Sequence, residues 1–180
     1  MEIMRGTTIV GVRRNGKTVI GGDSQAQLGE HFIIKDSVIK VRRIYDGKVL
    51  VGFAGKVSDA FAFFREIENA LQKFSGNLQR AVVEVGSSWQ NPKASIRQLE
   101  AQLIVANATQ MYLLTGDGNV IEPEDGIMSI GSGSYFALSA AKALIDNTKL
   151  SAKEIVEKSL LIASHYCPHT NDHLVIEEVE

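Results

Sequence analysis

The chain has 180 residues, of which 44% are hydrophobic and 22% charged, and its formal net charge at pH 7 is −2. This composition is typical of one globular domain with a sizeable core, and it excludes a disordered, collagen-like or strongly basic nucleic-acid-binding chain. The single cysteine, Cys167, cannot form an internal disulfide and no apolar run reaches the length of a membrane span, so we predict a cytoplasmic protein that binds neither membrane nor nucleic acid.

The first half of the chain predicts two β-hairpins followed by two helices. Asn15-Gly16 and Asp46-Gly47 are dipeptides that favour tight hairpin turns, the former of type I′. Apolar residues recur at helical spacing after Gly55, and Asn77 is the predicted N-cap of a second helix. The predicted elements are strands Thr8–Arg13, Lys17–Gly22, Ser37–Ile44 and Lys48–Phe53, a helix containing Val57 to Phe74, and a helix that ends near Trp89.

The second half predicts more strands, a second helix pair and a closing strand. Ser151 and Glu154 form a capping box at the start of the last helix. The predicted elements are strands Glu100–Val105, Gln110–Thr115, Val120–Ile121 and Ile127–Ile130, a helix that follows Gly131–Ser134 and ends near Asn147, a helix to about His165, and strand His173–Val179. This order predicts an α+β fold in which two sheets pack face to face and helices cover both outer faces.

The peptide bond between Gly6 and Thr7, just before the first strand, carries the main chemical hypothesis. A threonine hydroxyl is a poor nucleophile at neutral pH and needs a base within reach. If this bond is cleaved, the Thr7 α-amine becomes that base, because its pKa of roughly 7.7–8.0 is close to neutral. A nearby ammonium would lower the amine pKa further. Lys40 is the candidate for this cation, and Asp23 for the carboxylate that holds it.

Several stretches, in one order along nearly the whole chain, resemble the proteasome β class of N-terminal nucleophile (Ntn) hydrolases. They include Thr7-Thr8-Ile9-Val10, Gly22-Asp23, Lys40-Val41-Arg42-Arg43, Gly52-Phe53-Ala54-Gly55 and Ile130-Gly131-Ser132-Gly133. The resemblance implies a four-layer αββα sandwich and a threonine-type endopeptidase. By position, it implies that Thr7 is the nucleophile with Asp23 and Lys40 beside it. It also implies that Ser132 hydrogen-bonds near the terminal amine and that the Gly55 N–H faces the oxyanion.

The same resemblance carries expectations about processing, ions and partners. Met1–Gly6 would be a short propeptide that is removed, and residues 7–180 a single peptidase domain. Backbone carbonyls of Ser164, Cys167 and Thr170 fall where the family binds Na⁺, which the chemistry itself does not require. The family assembles as two stacked six-membered rings, and an HslU-type AAA+ ATPase ring delivers unfolded proteins to the enclosed sites.

Two other functions stay open at this point. A catalytically inactive ring or scaffold subunit is supported by departures from the family pattern at Ser24, Ser134 and Gln90–Pro92. An Ntn-hydrolase acting on a small amide would share the chemistry of Thr7 but need no ATPase. Uncleaved Met1–Gly6 in the mature protein would favour the scaffold, whereas activity without an ATPase would favour the small-amide hydrolase.

Two residue groups have simpler interpretations. His165, Cys167, His169 and His173 crowd together near the end of the chain, but their spacing matches no zinc-finger signature, so we expect loop histidines. Phe61, Phe64 and Phe74 are expected to form ordinary helix core or a subunit contact.

Overall fold

The structure is a computed structural model that describes residues 4–5, 7–29, 32–55, 57–90 and 101–180. Its strands are β1 (Met4–Arg5), β2 (Thr8–Arg14), β3 (Lys17–Asp23), β4 (Ala26–Leu28), β5 (Phe32–Lys35), β6 (Val41–Ile44), β7 (Val49–Ala54), β8 (Gln102–Ala106), β9 (Met111–Thr115), β10 (Val120–Ile121), β11 (Ile127–Gly131) and β12 (Leu174–Val179). Its helices are α1 (Val57–Lys73), α2 (Leu78–Trp89), α3 (Ser134–Asn147) and α4 (Ala152–Tyr166). Glu100, the predicted start of a strand, lies outside the described residues, as do Asn91 and Pro92 of the Gln90–Pro92 stretch and most of Met1–Gly6.

Two antiparallel sheets carry the fold. One has four strands in the order β11-β2-β3-β12, and the other has five in the order β10-β9-β8-β7-β6. The predicted hairpin of β2 and β3 is confirmed, and its turn residues Asn15 and Gly16 have φ of 54° and 77°, as a type I′ turn requires. The hairpin of β6 and β7 around Asp46-Gly47 is also confirmed.

Three apolar clusters separate four layers. Successive strand residues point to opposite faces, so Ile9 lies in the cluster between the two sheets while Val10 packs under α3 and α4. On the other sheet, Leu50 faces the inter-sheet cluster and Val51 faces α1 and α2. Every residue of β7 is buried, as its uninterrupted apolar sequence predicted. The αββα sandwich is therefore confirmed.

The helix starts follow the predicted caps. The Asn77 side chain accepts a hydrogen bond from the Arg80 N–H at 3.0 Å, which satisfies one of the donors left open at the start of α2. The Ser151 Oγ accepts from the Glu154 N–H, and the Glu154 carboxylate accepts from the Ser151 N–H. This is the predicted capping box of α4.

The segment between β3 and β6 differs most from the prediction. It contains strands β4 and β5, which the sequence pattern did not indicate and which form a separate three-stranded sheet with β1 in the order β1-β4-β5. Strand β6 begins at Val41 rather than Ser37, because Val38 donates its N–H to the Ser24 carbonyl instead of to a sheet neighbour. Of the phenylalanines expected in the core or at a subunit contact, Phe64 lies in the core, whereas Phe61 is 62% exposed in this chain, so the subunit contact stays a prediction for it. Within the described residues, no helix has the length and apolar character needed to cross a bilayer.

Candidate active site

Thr7 lies directly before β2 and is held by main-chain contacts to the end of β11. Its carbonyl accepts hydrogen bonds from the Ser132 N–H at 2.8 Å and from the Ser132 Oγ at 3.1 Å, while its N–H points to the Ser132 Oγ at 3.4 Å. This approach needs Gly131, whose φ is +91° and where any Cβ would overlap the Thr7 carbonyl oxygen. Ser132 therefore lies beside the Thr7 nitrogen, as the resemblance implied.

Asp23 ends β3, is fully buried, and bonds to Thr8, the residue after Thr7. Its carboxylate accepts from the Thr8 N–H at 2.7 Å and from the Gln25 N–H at 2.9 Å. The Lys40 Nζ donates to both carboxylate oxygens, at 3.0 and 3.1 Å. A buried carboxylate is tolerated because all of these donors compensate its lost hydration.

Lys40 is 5% exposed, and Asp23 links its ammonium to Thr8, the residue after Thr7. Asp23 Oδ1 bridges the Lys40 Nζ and the Thr8 N–H, so the cation and the start of β2 share one oxygen. Burial lowers the pKa of Lys40 below its ordinary 10.5, and the charge and hydrogen bond of Asp23 act against this shift. Thr7 and Lys40 also line the same cavity.

That cavity has a volume of about 430 Å³ and opens beside Thr7. Gly55, which directly follows β7, contributes to its wall and has a φ of +147°. Apolar residues of the 34–39 segment and of α1 form much of the rest. The Arg42 guanidinium lies over the Phe61 and Phe64 rings, 5.1 and 5.5 Å from their centroids, which gives the exposed Phe61 a role in this wall. An extended peptide side chain fits a space of this size and character.

The structure thus brings together five sequence-predicted residues, Thr7, Asp23, Lys40, Ser132 and Gly55. Ser24 and Ser134, which had supported an inactive subunit, replace no group of this arrangement. Ser24 donates its N–H to the Asn171 Oδ1, and Ser134 is the first residue of α3.

The three proposed Na⁺ ligands lie at the end of α4 and in the loop that follows. Ser164 is in the last helical turn, Cys167 is the C-cap, and the Thr170 N–H donates to the Cys167 carbonyl at 3.1 Å. Pro168 has no N–H, so the Ser164 carbonyl cannot receive the helical bond from four residues on. Backbone carbonyls at the negative end of a helix dipole suit a hard cation.

The histidines of this region make separate contacts. His169 Nδ1 lies 2.6 Å from the Gln27 Oε1, and His173 Nδ1 lies 3.0 Å from the Asp36 carbonyl oxygen. In the part of the chain that the structure describes, no three His, Cys, Asp or Glu side chains group as a metal site would need.

Sequence reasoning gave no site role to the side chain of Thr8 or to Asn171. The Thr8 Oγ1 accepts from the Gly133 N–H at 3.0 Å and lies 2.6 Å from the Thr170 Oγ1. The Thr-Thr pair at the start of β2 was the available signal, but its partner is 162 positions away.

A two-sheet sandwich with outer helices, and a threonine before its first long strand beside a buried lysine–aspartate pair, define the architecture of an Ntn-hydrolase. The family profile described as "Proteasome subunit" matches residues 3–179. The chain is 50% identical over 173 residues to the protein named "ATP-dependent protease subunit HslV" of Staphylococcus carnosus (strain TM300), with 96% of both chains covered. The chain therefore belongs to the proteasome family.

Solved structures agree with this assignment. A eukaryotic HslV from Trypanosoma brucei superposes with a TM-score of 0.90 at 42% identity, over 96% of this chain and 99% of that one. The BPH protein of Thiobacillus denitrificans, solved in complex with epoxomicin, superposes with a TM-score of 0.71 at 19% identity, over 96% of this chain and 98% of that one. The second likeness shows the shared fold alone.

Proposed function

We propose that this chain is the proteolytic subunit of an ATP-dependent protease and that Thr7 is its nucleophile. The observation that carries the proposal is the buried Lys40–Asp23 pair, which is tied to the Thr8 N–H and borders the same cavity as Thr7. A buried, paired lysine beside a threonine in a cavity is the arrangement that N-terminal threonine chemistry needs.

The proposed reaction begins after Met1–Gly6 has been removed. The Thr7 Oγ1 attacks the carbonyl carbon of a peptide bond, and the Thr7 α-amine takes the hydroxyl proton. The carbon–nitrogen bond then breaks, the proton passes to the leaving amine, and an ester to Thr7 remains. Water hydrolyses this ester, which releases the carboxylic acid and restores the hydroxyl.

The neighbouring groups have distinct proposed roles in these steps. The Lys40 ammonium lowers the pKa of the Thr7 amine, and Asp23 keeps that ammonium charged and in place. Ser132 orients the amine through the contact that it already makes with the Thr7 nitrogen. The Gly55 N–H stabilises the oxyanion, where one such donor contributes roughly 3–4 kcal/mol.

The proposed substrate and partners are based on the relatives. The Staphylococcus carnosus relative is named an ATP-dependent protease subunit, and we extend this to the present chain. In this proposal an HslU-type AAA+ ATPase ring delivers unfolded proteins to two stacked hexamers of the chain in the cytoplasm. Enclosure of Thr7 inside the rings would exclude folded proteins.

We include a structural Na⁺ in the proposal, held by the carbonyls of Ser164, Cys167 and Thr170. The Ser164 carbonyl, deprived of its helical donor by Pro168, supports this donor set. The ion would fix the end of α4 and the following loop, and no chemical step passes through it.

The test is the Thr7→Ala variant, assayed with an HslU-type ATPase and an unfolded protein substrate. We expect a loss of peptide cleavage of at least about 1,000-fold, because the attacking oxygen is absent, with rings still assembled by light scattering. Thr18→Ala is the matched control, because this buried threonine pairs with Arg13 near the turn of the β2–β3 hairpin, at the opposite end of β2 from Thr7. Intact-mass spectrometry of the wild-type protein should show a chain that begins at Thr7 and gains one equivalent of a peptide epoxyketone. Near wild-type cleavage by Thr7→Ala would end the proposal.

A further inference from the structure

The loop that follows α4, residues 167–171, contacts the neighbours of the proposed site residues on several sides. We call it the α4 loop. Its Thr170 Oγ1 lies 2.6 Å from the Oγ1 of Thr8, the residue after Thr7. Its Asn171 Oδ1 accepts at 2.9 Å from the N–H of Ser24, the residue after Asp23. One loop therefore holds the residue next to the nucleophile and the residue next to the buried carboxylate.

The contact between Thr170 and Thr8 is the most enclosed of these. The two residues are 4% and 0% exposed. A Cβ on Gly133 would overlap the Thr8 Oγ1 and lie 2.9 Å from the Thr170 Oγ1, so the two hydroxyls fill the space beside this glycine. Two buried hydroxyls at this distance form a well-localised hydrogen bond, because neither has water as an alternative partner.

Thr8 carries the constraint from the α4 loop to the site. Its hydroxyl accepts from the Gly133 N–H, which fixes it relative to Ser132, and its own N–H donates to Asp23 Oδ1. Movement of the Thr8 side chain would therefore shift Thr7 relative to both Ser132 and the Asp23–Lys40 pair. From the α4 loop, the Thr170 hydroxyl holds that side chain at 2.6 Å.

We infer that the Thr170 side-chain hydroxyl is a positioning residue for Thr7, acting through the Thr8 hydroxyl. This inference rests on the proposed function of Thr7. It concerns the Thr170 Oγ1 and is separate from any role of the Thr170 backbone carbonyl toward a cation. Thr170 touches none of the reacting atoms, so its effect falls on the placement of the nucleophile.

The consequence is a selective change in turnover. A misplacement of about 1 Å in reacting groups can lower a rate about 100-fold. Removal of the Thr170 hydroxyl should lower kcat about 10- to 100-fold on that scale. The KM should change less than about twofold, because the cavity wall around residues 34–42 and 53–64 does not include Thr170.

The experiment compares Thr170→Val, which keeps the side-chain shape, with Thr170→Ser, which keeps the hydroxyl. The matched control is Thr18→Val, which makes the same replacement at a fully buried threonine of β3. Each protein is prepared as the full assembly and assayed for kcat and KM on a fluorogenic peptide, with Tm measured in parallel. We expect a large fall in kcat for Thr170→Val, near wild-type kcat for Thr170→Ser, and no loss of kcat for Thr18→Val.

The outcomes separate this inference from the proposed function. If wild-type protein cleaves the peptide and Thr170→Val keeps its kcat, the positioning role is wrong and the function of Thr7 stands. If Thr170→Ser loses as much kcat as Thr170→Val, the hydroxyl is not the group that matters and the inference fails. Should Thr170→Val not assemble, Thr170→Ala is compared with Thr170→Ser by the same criterion. If wild-type protein neither cleaves the peptide nor reacts with the epoxyketone, the proposed function fails first.

Discussion

The sharpest prediction concerns the buried Asp23–Lys40 pair, because its two members should differ in their effect on stability and agree in their effect on catalysis. Asp23→Asn keeps the size of the side chain but removes its charge. The new amide offers one oxygen, whereas the carboxylate receives two bonds from Lys40 and one each from the N–H groups of Thr8 and Gln25. At least one donor loses its acceptor, and the ammonium stays in a site where it is 5% exposed.

The magnitude follows from this burial. Removal of one partner from a buried ion pair costs about 3–5 kcal/mol, since the other charge is left uncompensated. For a chain of this length, 1 kcal/mol corresponds to about 2–4 °C in Tm, so Asp23→Asn should lower Tm by about 6–20 °C. Lys40→Met should cost less, because the Asp23 carboxylate keeps both backbone N–H donors.

The assay is a double-mutant cycle with urea unfolding at one protein concentration, which fixes any contribution of assembly. The double variant Asp23→Asn/Lys40→Met has no buried charge at this position and should recover part of the stability lost in Asp23→Asn. Its kcat should stay at least about 100-fold below wild type, as expected when one preorganised electrostatic group is lost. Lys17→Met is the control, because it removes an exposed lysine from ion pairs with Glu178 and Glu180.

Two results would refute the reasoning. One is a stability loss for Asp23→Asn no larger than that for Lys17→Met, since the pair would then not behave as buried. The other is a double variant with wild-type kcat, because Lys40 would then have no part in tuning the Thr7 amine.

Three further predictions rest on the same geometry. Ser132→Ala removes two contacts with Thr7. At about 1 kcal/mol for a hydrogen bond, this change should lower kcat on a fluorogenic peptide about fivefold. An unchanged kcat would contradict the role of Ser132 in orienting the Thr7 amine. Gly131→Ala should lower Tm and kcat more than Gly16→Ala, because both glycines have positive φ but, of the two, a Cβ at Gly131 meets Thr7. Equal losses in the two variants would show that the contact with Thr7 is not the cause. Burial lowers the pKa of Lys40 on folding, so between the folded pKa and 10.5 the unfolded chain keeps a proton on Lys40 that the folded chain has lost. The contribution of Lys40 to the free energy of unfolding should therefore rise with pH through that window. Urea titrations at several pH values should show this slope in wild type and not in Lys40→Met.

Local signals in the sequence were sufficient for most elements. Asn15-Gly16 specifies its own turn, and the capping box of Ser151 and Glu154 needs residues only three positions apart. Strand β7 was recognisable because a continuous apolar run must be buried on both faces. In contrast, Phe32–Lys35 forms a strand with every residue exposed, so burial leaves no periodic pattern in its sequence.

The site residues likewise divide into those that the sequence could indicate and those that it could not. Thr7, Asp23 and Lys40 could be proposed from the sequence because Thr7 and Asp23 border predicted strands and all three lie within motifs of the family. The contact between Thr8 and Thr170 spans 162 positions, and no local rule of propensity or spacing encodes such a pair. The need for glycine at residue 131 likewise depends on where the Thr7 carbonyl lies in space.

The intact chain already holds the contacts on which the proposed chemistry depends. Ser132 bonds to the Thr7 carbonyl, Asp23 bonds to the Thr8 N–H, and Lys40 bonds to Asp23. None of these bonds involves an atom of Gly6, so each can persist when the Gly6–Thr7 bond is broken as proposed. The change is then confined to the Thr7 nitrogen, which turns from an amide without basicity into an amine next to the Ser132 Oγ. Removal of Met1–Gly6 would supply the base without requiring these contacts to rearrange.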